Sequence, residues 1–235
     1  MSTTPRYWAV IPAAGIGTRM ELTTPKQYLT LQGRALLEHV LQCFCDHPAI
    51  AGIVVALAPE DPFWGELAIA GHDKITTVTG GLERCHSVLN GLQALQEAAA
   101  RDDWVLVHDA ARPCLRRADI DALIEALAAH PVGGILAIPV RDTMKRAGPG
   151  NVIEATVDRT RLWHALTPQM FRLGLLEQAL AAAVAAGSLV TDEAQAVEIT
   201  GRQPLLVPGH PDNIKVTHRS DLPLAELFLS QQEKE

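Results

Sequence analysis

Short apolar runs alternate with segments of helical spacing along most of the chain, and this alternation limits the folds that the chain can adopt. Apolar runs bounded by Gly, Pro or charged residues are typical of buried strands, whereas apolar residues at helical spacing are typical of amphipathic helices. The alternation predicts an α/β, Rossmann-like fold, in which a mostly parallel twisted sheet carries helices on both faces. The predicted strands are residues 9–11, 53–58, 75–79, 104–107 and 134–140, and the predicted helices are residues 36–44, 88–95 and 120–127.

Residues 141–166 depart from this alternation. Residues 143–145 and 152–157 have β character and flank the turn sequence Gly148-Pro149-Gly150, which predicts an extended hairpin. Because an isolated hairpin is only marginally stable in water, we expect this β-arm to pack on a second subunit; a flap on its own domain is the alternative. Residues 1–235 are therefore expected to form one domain with a protruding arm at about 141–166. After the arm, helices are predicted at 173–186, 192–199 and 221–229, and strands at 205–207 and 214–216.

The segment that follows the first predicted strand consists of small residues. Ala13, Ala14, Gly15 and Gly17 leave the backbone open, so N–H groups there can approach a phosphate without a Cβ in the way. This loop therefore predicts a phosphate-binding site.

Two cations, Arg19 and Lys26, follow the loop, and a phosphate-binding loop with two positive charges suits a nucleoside triphosphate. A dinucleotide fingerprint would need a third glycine where Met20 stands, and a P-loop would need Lys and then Ser or Thr directly after Gly17. Both interpretations fail. An ordinary strand-to-helix turn with surface charges remains the alternative.

Asp109 is the candidate ligand for a divalent cation. In open α/β sheets the ligand crevice lies at the carboxyl ends of the strands, where the strand order reverses. If the first and fourth strands are neighbours there, Gly15, Arg19 and Lys26 face His108 and Asp109 across one cleft. Mg²⁺ takes one or two protein carboxylates and completes its shell with phosphate oxygens and water. A role for Asp109 as a helix N-cap is the alternative.

The composition excludes several classes of partner. A net charge of -7 and a pI near 5.7 argue against binding to nucleic acid or to an anionic membrane. The Ala-rich run at 173–190 is interrupted by Glu177, Gln178 and Gly187, which favours an amphipathic helix over a membrane span. No secretory signal pattern is evident, so we expect a cytoplasmic protein.

The cysteines form no C-x-x-C pair and are expected to be reduced thiols without metal; they are Cys43, Cys45, Cys85 and Cys114.

Several motifs follow one another along the chain. They are AAGIGTRM with PKQY (13–28), GGLERCHS (80–87), VHDAARP (107–113), PVRDTMKR (139–146), TVDRTRLWHALTPQ (156–169), TDEA (191–194) and DNIKVT (212–217). The first two resemble nucleotidyltransferases that load sugar and polyol phosphates onto a nucleotide, and the whole series resembles the bacterial 2-C-methyl-D-erythritol 4-phosphate cytidylyltransferases. The resemblance runs from Ala9 to about Phe228.

The resemblance implies a reaction and a set of site residues. The phosphate of methylerythritol phosphate would attack the α-phosphorus of CTP with the help of Mg²⁺, and the arm would interlock a homodimer. The implied roles are Arg19, Lys26 and Lys215 on the triphosphate and transition state; Ala13, Ala14, Gly15, Gly17, Gly81, Ser87 and Ala110 on CTP; Asp109 on the metal and the ribose; and Asp109, Arg112, Thr143 and the partner's Arg159 on the acceptor.

One position departs from the family pattern. Leu82 stands where close relatives often carry Asp beside the base, so a side-chain contact to cytosine is absent there, whereas recognition by the backbone could survive.

The nearest alternative function is a ribitol 5-phosphate cytidylyltransferase, and a non-catalytic nucleotide-binding protein is the alternative from another class. An NAD-dependent dehydrogenase is disfavoured because the third glycine and the ribose-binding acid are missing.

Overall fold

The computed structural model describes residues 5–15 and 24–234, and it contains a seven-stranded sheet covered by helices on both faces. The elements alternate as the apolar periodicity predicts. The strands are β1 Tyr7–Pro12, β2 Thr30–Leu31, β3 Arg34–Ala35, β4 Ile50–Leu57, β5 Ile75–Thr79, β6 Trp104–Val107, β7 Gly133–Pro139, β8 Met144–Ala147, β9 Ile153–Val157, β10 Trp163–Arg172 and β11 Leu205–Pro208. The helices are α1 Leu36–Cys45, α2 Arg84–Leu95, α3 Arg117–Leu127, α4 Leu173–Ala185, α5 Glu193–Ile199 and α6 Leu222–Gln232.

The strand order in the main sheet is β11-β7-β10-β6-β1-β4-β5. β1 lies between β4 and β6 and pairs parallel with both. The chain therefore leaves β1 toward one side of the sheet, forms β4 and β5, and returns to the other side of β1 as β6. This is the reversal of strand order at which α/β sheets place their ligands. The first and fourth predicted strands, β1 and β6, are neighbours, so the condition stated for a shared cleft is met.

Alternate residues along the strands supply two hydrophobic cores, because successive side chains of a strand point to opposite faces. Ala9 and Ile11 of β1 pack in the core beneath α1 and α3. Trp8 and Val10 pack in the opposite core, which α2, α4 and α5 cover. The predicted mostly parallel sheet with helices on both faces is thus confirmed.

β10 is the one strand of the main sheet that the periodicity did not predict. It lies between β6 and β7 and runs antiparallel to both, and its pairing with β7 is irregular between Ala165 and Gln169. Its sequence mixes apolar residues with His164, Thr167 and Pro168, so no alternation of apolar and polar residues marks it. Burial between two neighbouring strands, which is a tertiary property, makes this segment a strand.

One predicted strand is wrong, and the predicted hairpin is confirmed. Residues 214–216, predicted to be a strand, lie in an irregular segment, which is fixed to the core by the Val216 N–H donating to the Ala111 carbonyl at 2.8 Å. The predicted hairpin exists as β8 and β9, which form a separate two-stranded antiparallel sheet. No helix in the described part of the chain is long and apolar enough to cross a membrane.

Candidate active site

A pocket of about 570 Å³ opens at the carboxyl ends of β1 and β6. One wall is the loop after β1, a second is the start of α2, and a third is the segment after β6 together with the loop before α6. Many of the predicted site residues lie together on these walls, although they come from distant parts of the sequence. They are Ala13, Ala14, Gly15, Lys26, Gly81, Ser87, Asp109, Ala110 and Lys215.

Other predicted site residues lie elsewhere. Thr143 and Arg159 are exposed beside the β8–β9 hairpin and are not part of the pocket wall in the described chain. Arg112 lies behind the wall, where it contacts Asp109. Gly17 and Arg19 fall outside the described residues, so their predicted roles stay predictions.

Asp109 is the centre of the charge arrangement. Its side chain is nearly buried, its Oδ1 accepts a hydrogen bond from Arg84 Nε at 3.0 Å, and its Oδ2 lies 2.9 Å from Lys215 Nζ. Arg112 Nε is 3.6 Å from the same Oδ2. Burial disfavours the charged form, but the cations, led by Arg84 and Lys215, outweigh burial and hold the pKa of Asp109 well below its usual range. Asp109 is therefore a carboxylate at any physiological pH.

Arg84 links Asp109 to a second carboxylate. Its Nη1 and Nη2 donate to the two oxygens of Glu193, at 2.6 and 3.0 Å, and its Nε reaches Asp109. Burial opposes the charged form of Arg84, but Glu193 and Asp109 raise its pKa above the ordinary value. Glu193 is fully buried at the first residue of α5. The two residues form a bidentate pair at the back of the pocket.

Lys215 is the partner of Asp109 that can move most easily, because its flexible side chain is 38% exposed. The segment that carries it is anchored through Asn213. Asn213 Nδ2 donates to the Thr167 carbonyl at 2.8 Å, and Arg112 Nη1 donates to the Asn213 carbonyl at 2.8 Å. The backbone of this segment is therefore fixed, while the ammonium of Lys215 can exchange one acceptor for another.

Gln27 joins the loop after β1 to the one-turn 3₁₀ helix Lys26–Tyr28. Its amide Nε2 donates to the carbonyls of Ala13 at 2.6 Å and of Gly15 at 3.1 Å, and the side chain is buried. Because Lys26 directly precedes Gln27, the same contacts place Lys26 on the wall of the pocket. Gln27 belongs to the PKQY motif, but no role for it was predicted from the sequence.

The GGLERCHS segment approaches the loop after β1 so closely that only glycine fits. A Cβ on Gly80 would lie 2.4 Å from the Ala14 Cβ, which is far inside van der Waals contact. Ser87 Oγ accepts a hydrogen bond from the Gly81 N–H at 3.1 Å, and this bond fixes the turn. Leu82 lines the pocket with a side chain that is 97% exposed, so it contributes no hydrogen bond and little packing to the protein itself.

His108 supports the Asp109 backbone. His108 is fully buried; its Nε2 lies 3.1 Å from the Arg112 carbonyl and its Nδ1 lies 3.0 Å from Thr167 Oγ1. A carbonyl only accepts, so Nε2 carries the proton and Nδ1 accepts from the Thr167 hydroxyl. The Asp109 N–H in turn donates to Thr167 Oγ1 at 3.1 Å. Burial lowers the pKa of His108 to about 4, so the ring is neutral and has a structural role.

The pocket fits a divalent cation only in part. Across residues 5–15 and 24–234, no group of three or more His, Cys, Asp or Glu side chains could hold a metal ion. Asp109 is anionic and faces the pocket, but Arg84 and Lys215 already contact its two oxygens. Mg²⁺ often binds through a single carboxylate plus substrate phosphates. The donor set therefore suits a cation that arrives with a nucleotide.

Arg84, Glu193 and Gln27 belong to the site but are not among the site residues predicted from the sequence. A signal for two of them was present, because Arg84 is the charged residue of G-G-x-x-R-x-x-S and Glu193 is the acid of TDEA. What the motifs did not contain was the information that these residues touch. The third, Gln27, is marked only by its position directly after Lys26.

Comparison with known proteins places this geometry in a family. The family model described as 2-C-methyl-D-erythritol 4-phosphate cytidylyltransferase matches residues 7–231. A protein of that name from Pseudomonas putida (strain GB-1) is 55% identical over 223 residues, which is 94% of this chain and 95% of the relative. A protein of the same name from Vibrio vulnificus (strain CMCP6) is 54% identical over 224 residues, which is 95% of this chain and 94% of the relative.

Solved structures agree with this comparison. A crystal structure of 4-diphosphocytidyl-2C-methyl-D-erythritol synthase superposes with a TM-score of 0.84 at 41% identity and covers 97% of this chain and 100% of that chain. The 2-C-methyl-D-erythritol 4-phosphate cytidylyltransferase of Francisella tularensis superposes with a TM-score of 0.81 at 39% identity, covering 95% and 99%.

Proposed function

The chain belongs to the 2-C-methyl-D-erythritol 4-phosphate cytidylyltransferase family, and we propose that the pocket at the ends of β1 and β6 carries out the family's reaction. The protein is a nucleotidyltransferase of the non-mevalonate isoprenoid pathway. It joins CTP to 2-C-methyl-D-erythritol 4-phosphate and gives 4-diphosphocytidyl-2-C-methyl-D-erythritol and pyrophosphate. The observation that carries the proposal is the pairing of Lys215 with Asp109 at 2.9 Å in a pocket that Lys26 also lines.

The chemistry requires no nucleophile from the protein. An oxygen of the acceptor phosphate forms a bond to the α-phosphorus of CTP, the bond between the α-phosphorus and its bridge oxygen to the β-phosphorus breaks, and pyrophosphate leaves with the electron pair. A phosphate monoester has a second pKa near 6, so the nucleophile is largely a dianion at neutral pH. The barrier is electrostatic, because a dianion must approach a polyanion.

Cationic side chains lower that barrier when they are fixed where charge develops. Lys26 and Lys215, with Arg19 from outside the described residues, would hold the triphosphate and stabilise the five-coordinate phosphorus. Lys215 would exchange the Asp109 carboxylate for a substrate phosphate, which its partly exposed side chain allows.

The rest of the pocket would hold the nucleoside and the acceptor. We assign the base and ribose chiefly to backbone groups, since most of the residues assigned to CTP are Ala or Gly, and we assign the acceptor to polar and charged side chains. The CTP-binding residues would be Ala13, Ala14, Gly15, Gly17, Gly81, Ser87 and Ala110, and the acceptor-binding residues would be Asp109, Arg112, Thr143 and, from the arm of a second subunit, Arg159.

Asp109 would hold Mg²⁺, or another divalent cation, together with phosphate oxygens of CTP. Once bound, such a cation neutralises phosphate charge as a Lewis acid. Since Asp109 is the only carboxylate proposed for it, we predict that the cation binds with CTP and not before it. In electron paramagnetic resonance, Mn²⁺ should stay free with the protein alone and become bound when CTP is added. Stoichiometric binding of Mn²⁺ without nucleotide would contradict this arrangement.

The assembly is also part of the proposal. We infer a homodimer in which the hairpin of β8 and β9 lies on the partner, because the arm exposes the apolar side chains of Val152 and Ile153, at 68% and 63%. Residues 1–235 would form one domain with this arm as an appendage. We place the enzyme in the cytoplasm, because its proposed substrates carry phosphate charges that do not pass freely through the apolar interior of a bilayer.

The test is the release of pyrophosphate from CTP and Mg²⁺ with each of two acceptors. We expect turnover with methylerythritol phosphate and little with ribitol 5-phosphate. Turnover with ribitol 5-phosphate alone would replace the acceptor proposed here, and the absence of pyrophosphate release with either acceptor would favour a non-catalytic nucleotide-binding protein. Such a non-catalytic protein would bind CTP without turnover.

A further inference from the structure

Glu193 is a buried carboxylate that has no role in the reaction proposed above. Its side chain is fully buried and lies outside the pocket wall, so it does not reach a substrate. Burying a charge is costly even when it is paired, and an apolar pair of similar size is often as stable. Stability alone therefore does not explain why Glu193 and Arg84 form a buried ion pair behind the pocket.

The contacts of Arg84 provide that reason. Two parallel hydrogen bonds to Glu193, of 2.6 and 3.0 Å, fix the plane of the guanidinium group. With the plane fixed, the remaining edge of the guanidinium points Nε at Asp109 Oδ1, at 3.0 Å. Glu193 thus determines the position of Asp109 through one intermediate side chain.

The two oxygens of Asp109 are held in different ways. Oδ1 is held by Arg84, which Glu193 orients, whereas Oδ2 is held at 2.9 Å by the flexible and partly exposed Lys215 and lies 3.6 Å from Arg112 Nε. When Lys215 transfers to a substrate phosphate, Oδ2 loses its shortest contact and Oδ1 stays anchored. Without the anchor, Arg112 would be the remaining cation beside Asp109, and the carboxylate would turn toward it.

Glu193 is itself rigidly mounted. The adjacent Ala194 N–H donates to Gln169 Oε1 at 2.8 Å, and Gln169 Nε2 donates to Asp192 Oδ2 at 2.9 Å. Asp192 also caps α5 by accepting from the Gln195 N–H at 2.9 Å. The start of α5 is therefore attached to β10, which lies in the middle of the sheet beside β6.

We propose that Glu193 is a positioning residue: by fixing Arg84 it keeps Asp109 in place while Lys215 moves from this carboxylate to the substrate phosphates. The proposal rests on the function proposed above. It assigns the orientation of the one carboxylate that would hold the divalent cation to Glu193, which lies outside the pocket wall, acting through Arg84, which lies on that wall.

The experiment compares the wild-type protein with Glu193→Gln and Arg84→Lys. Glu193→Gln removes the charge and one of the two acceptors at nearly constant volume, and Arg84→Lys keeps the charge but removes the planar fork. Loss of a partner that orients a metal ligand typically weakens metal binding or activity by about 10- to 100-fold. We expect the dissociation constant of Mn²⁺ in the CTP complex, measured by electron paramagnetic resonance without acceptor, to rise by about tenfold or more in both variants.

The kinetic readout separates positioning from binding of the nucleotide. Raising the Mg²⁺ concentration should restore part of kcat in Glu193→Gln, while KM for CTP should change less. The double variant should be little worse than either single variant, because both remove the same link.

Asp103→Asn is the matched control. Asp103 is also a buried carboxylate, 4% exposed, but it lies at the start of β6, at the opposite end of that strand from the pocket. We expect this variant to lose stability and to keep the wild-type dissociation constant of Mn²⁺. An equal rise in the control would show that general destabilisation is the cause and would overturn the proposal.

The remaining outcomes each support or overturn the proposal as well. If Glu193→Gln folds and binds Mn²⁺ as the wild type does, the proposal is wrong. If Glu193→Gln does not fold, the same measurement on Arg84→Lys decides: a raised dissociation constant supports the proposal, and an unchanged one overturns it. Failure of the proposed function would look different, because the wild-type protein itself would then release no pyrophosphate from CTP with either acceptor.

Discussion

At the scale of single residues, the site depends on a balance of charge around Asp109. The described cations Arg84, Arg112 and Lys215 face the carboxylates Asp109 and Glu193. The cluster therefore has an excess of positive charge before any substrate arrives. An excess of this sign attracts a triphosphate, and it is compatible with a protein whose net charge is -7, because the attraction is local.

Replacement of the pocket lysines tests this balance directly. We predict that Lys26→Ala and Lys215→Ala each lower kcat by about 10²- to 10³-fold, since each removes a charge directed at the transition state. Steady-state pyrophosphate release under saturating CTP is the measurement. Lys234→Ala, an exposed lysine near the end of the chain, is the control and should leave kcat unchanged. A loss of only a few-fold for both pocket variants would contradict the electrostatic mechanism.

At the scale of elements, the strands β1 and β6 are joined at both ends by different devices. At the pocket end, the His108 N–H donates to the Val10 carbonyl at 3.1 Å. At the other end, the Asp103 carboxylate accepts from the Arg6 N–H at 2.9 Å and from Trp8 Nε1 at 3.0 Å. The pocket and the buried hydrogen bonds of Asp103 therefore lie at opposite ends of the β1–β6 pair.

We predict that Asp103→Asn destabilises the fold by about 1–3 kcal/mol, because an amide group would place N–H donors against donors. Urea denaturation near neutral pH is the measurement, and kcat of the folded protein should be unchanged. Burial opposes ionisation of Asp103, but its hydrogen bonds and Arg6 outweigh burial and lower its pKa. This contribution is present above the unfolded pKa of about 3.9 and is lost as the pH falls through the lower folded pKa. The difference between the two proteins should therefore shrink below about pH 4.

At the scale of the whole molecule, the pocket of one described chain lacks two of its predicted residues. Thr143 and Arg159 lie exposed beside the hairpin of β8 and β9. A hairpin with exposed Val152 and Ile153 has apolar surface to bury, and a second subunit can cover it. The dimer would then bring Arg159 to the pocket of the partner.

Mixing two inactive variants tests this arrangement. In a hybrid dimer of Arg159→Ala with Lys215→Ala, one site contains both defects and the other site contains neither. We predict that unfolding and refolding an equal mixture restores roughly a quarter of wild-type activity, because about half of the dimers are hybrids with one intact site each. Each variant refolded alone is the control. An inactive mixture that has been shown to contain hybrid dimers would mean that Arg159 acts within its own subunit or not at all.

Local sequence was sufficient for most elements and for the chemistry of the loops. Apolar periodicity depends on residues close together in the chain, so it marked β5 and β6 at their observed bounds and α1 within a residue. The small residues at 13–15 and the cation Lys26 were recognised because their types fit phosphate binding, whereas Lys215 was recognised only through the resemblance of the DNIKVT motif to a known family. These features are local, and a sequence displays local features directly.

Tertiary structure alone decided the rest. The sequence of residues 163–172 shows no strand pattern. The segment forms β10 because it pairs with β6 on one side and with β7 on the other. The contacts that orient Asp109 join residues 25 positions apart, Arg84 to Asp109, and 109 positions apart, Arg84 to Glu193. Hydrogen bonds and ion pairs of this kind depend on where the packing of two cores places distant segments. The sequence by itself thus indicated the small-residue loop and several charged groups of the site, and the packed fold decided which of them meet and added Arg84, Glu193 and Gln27.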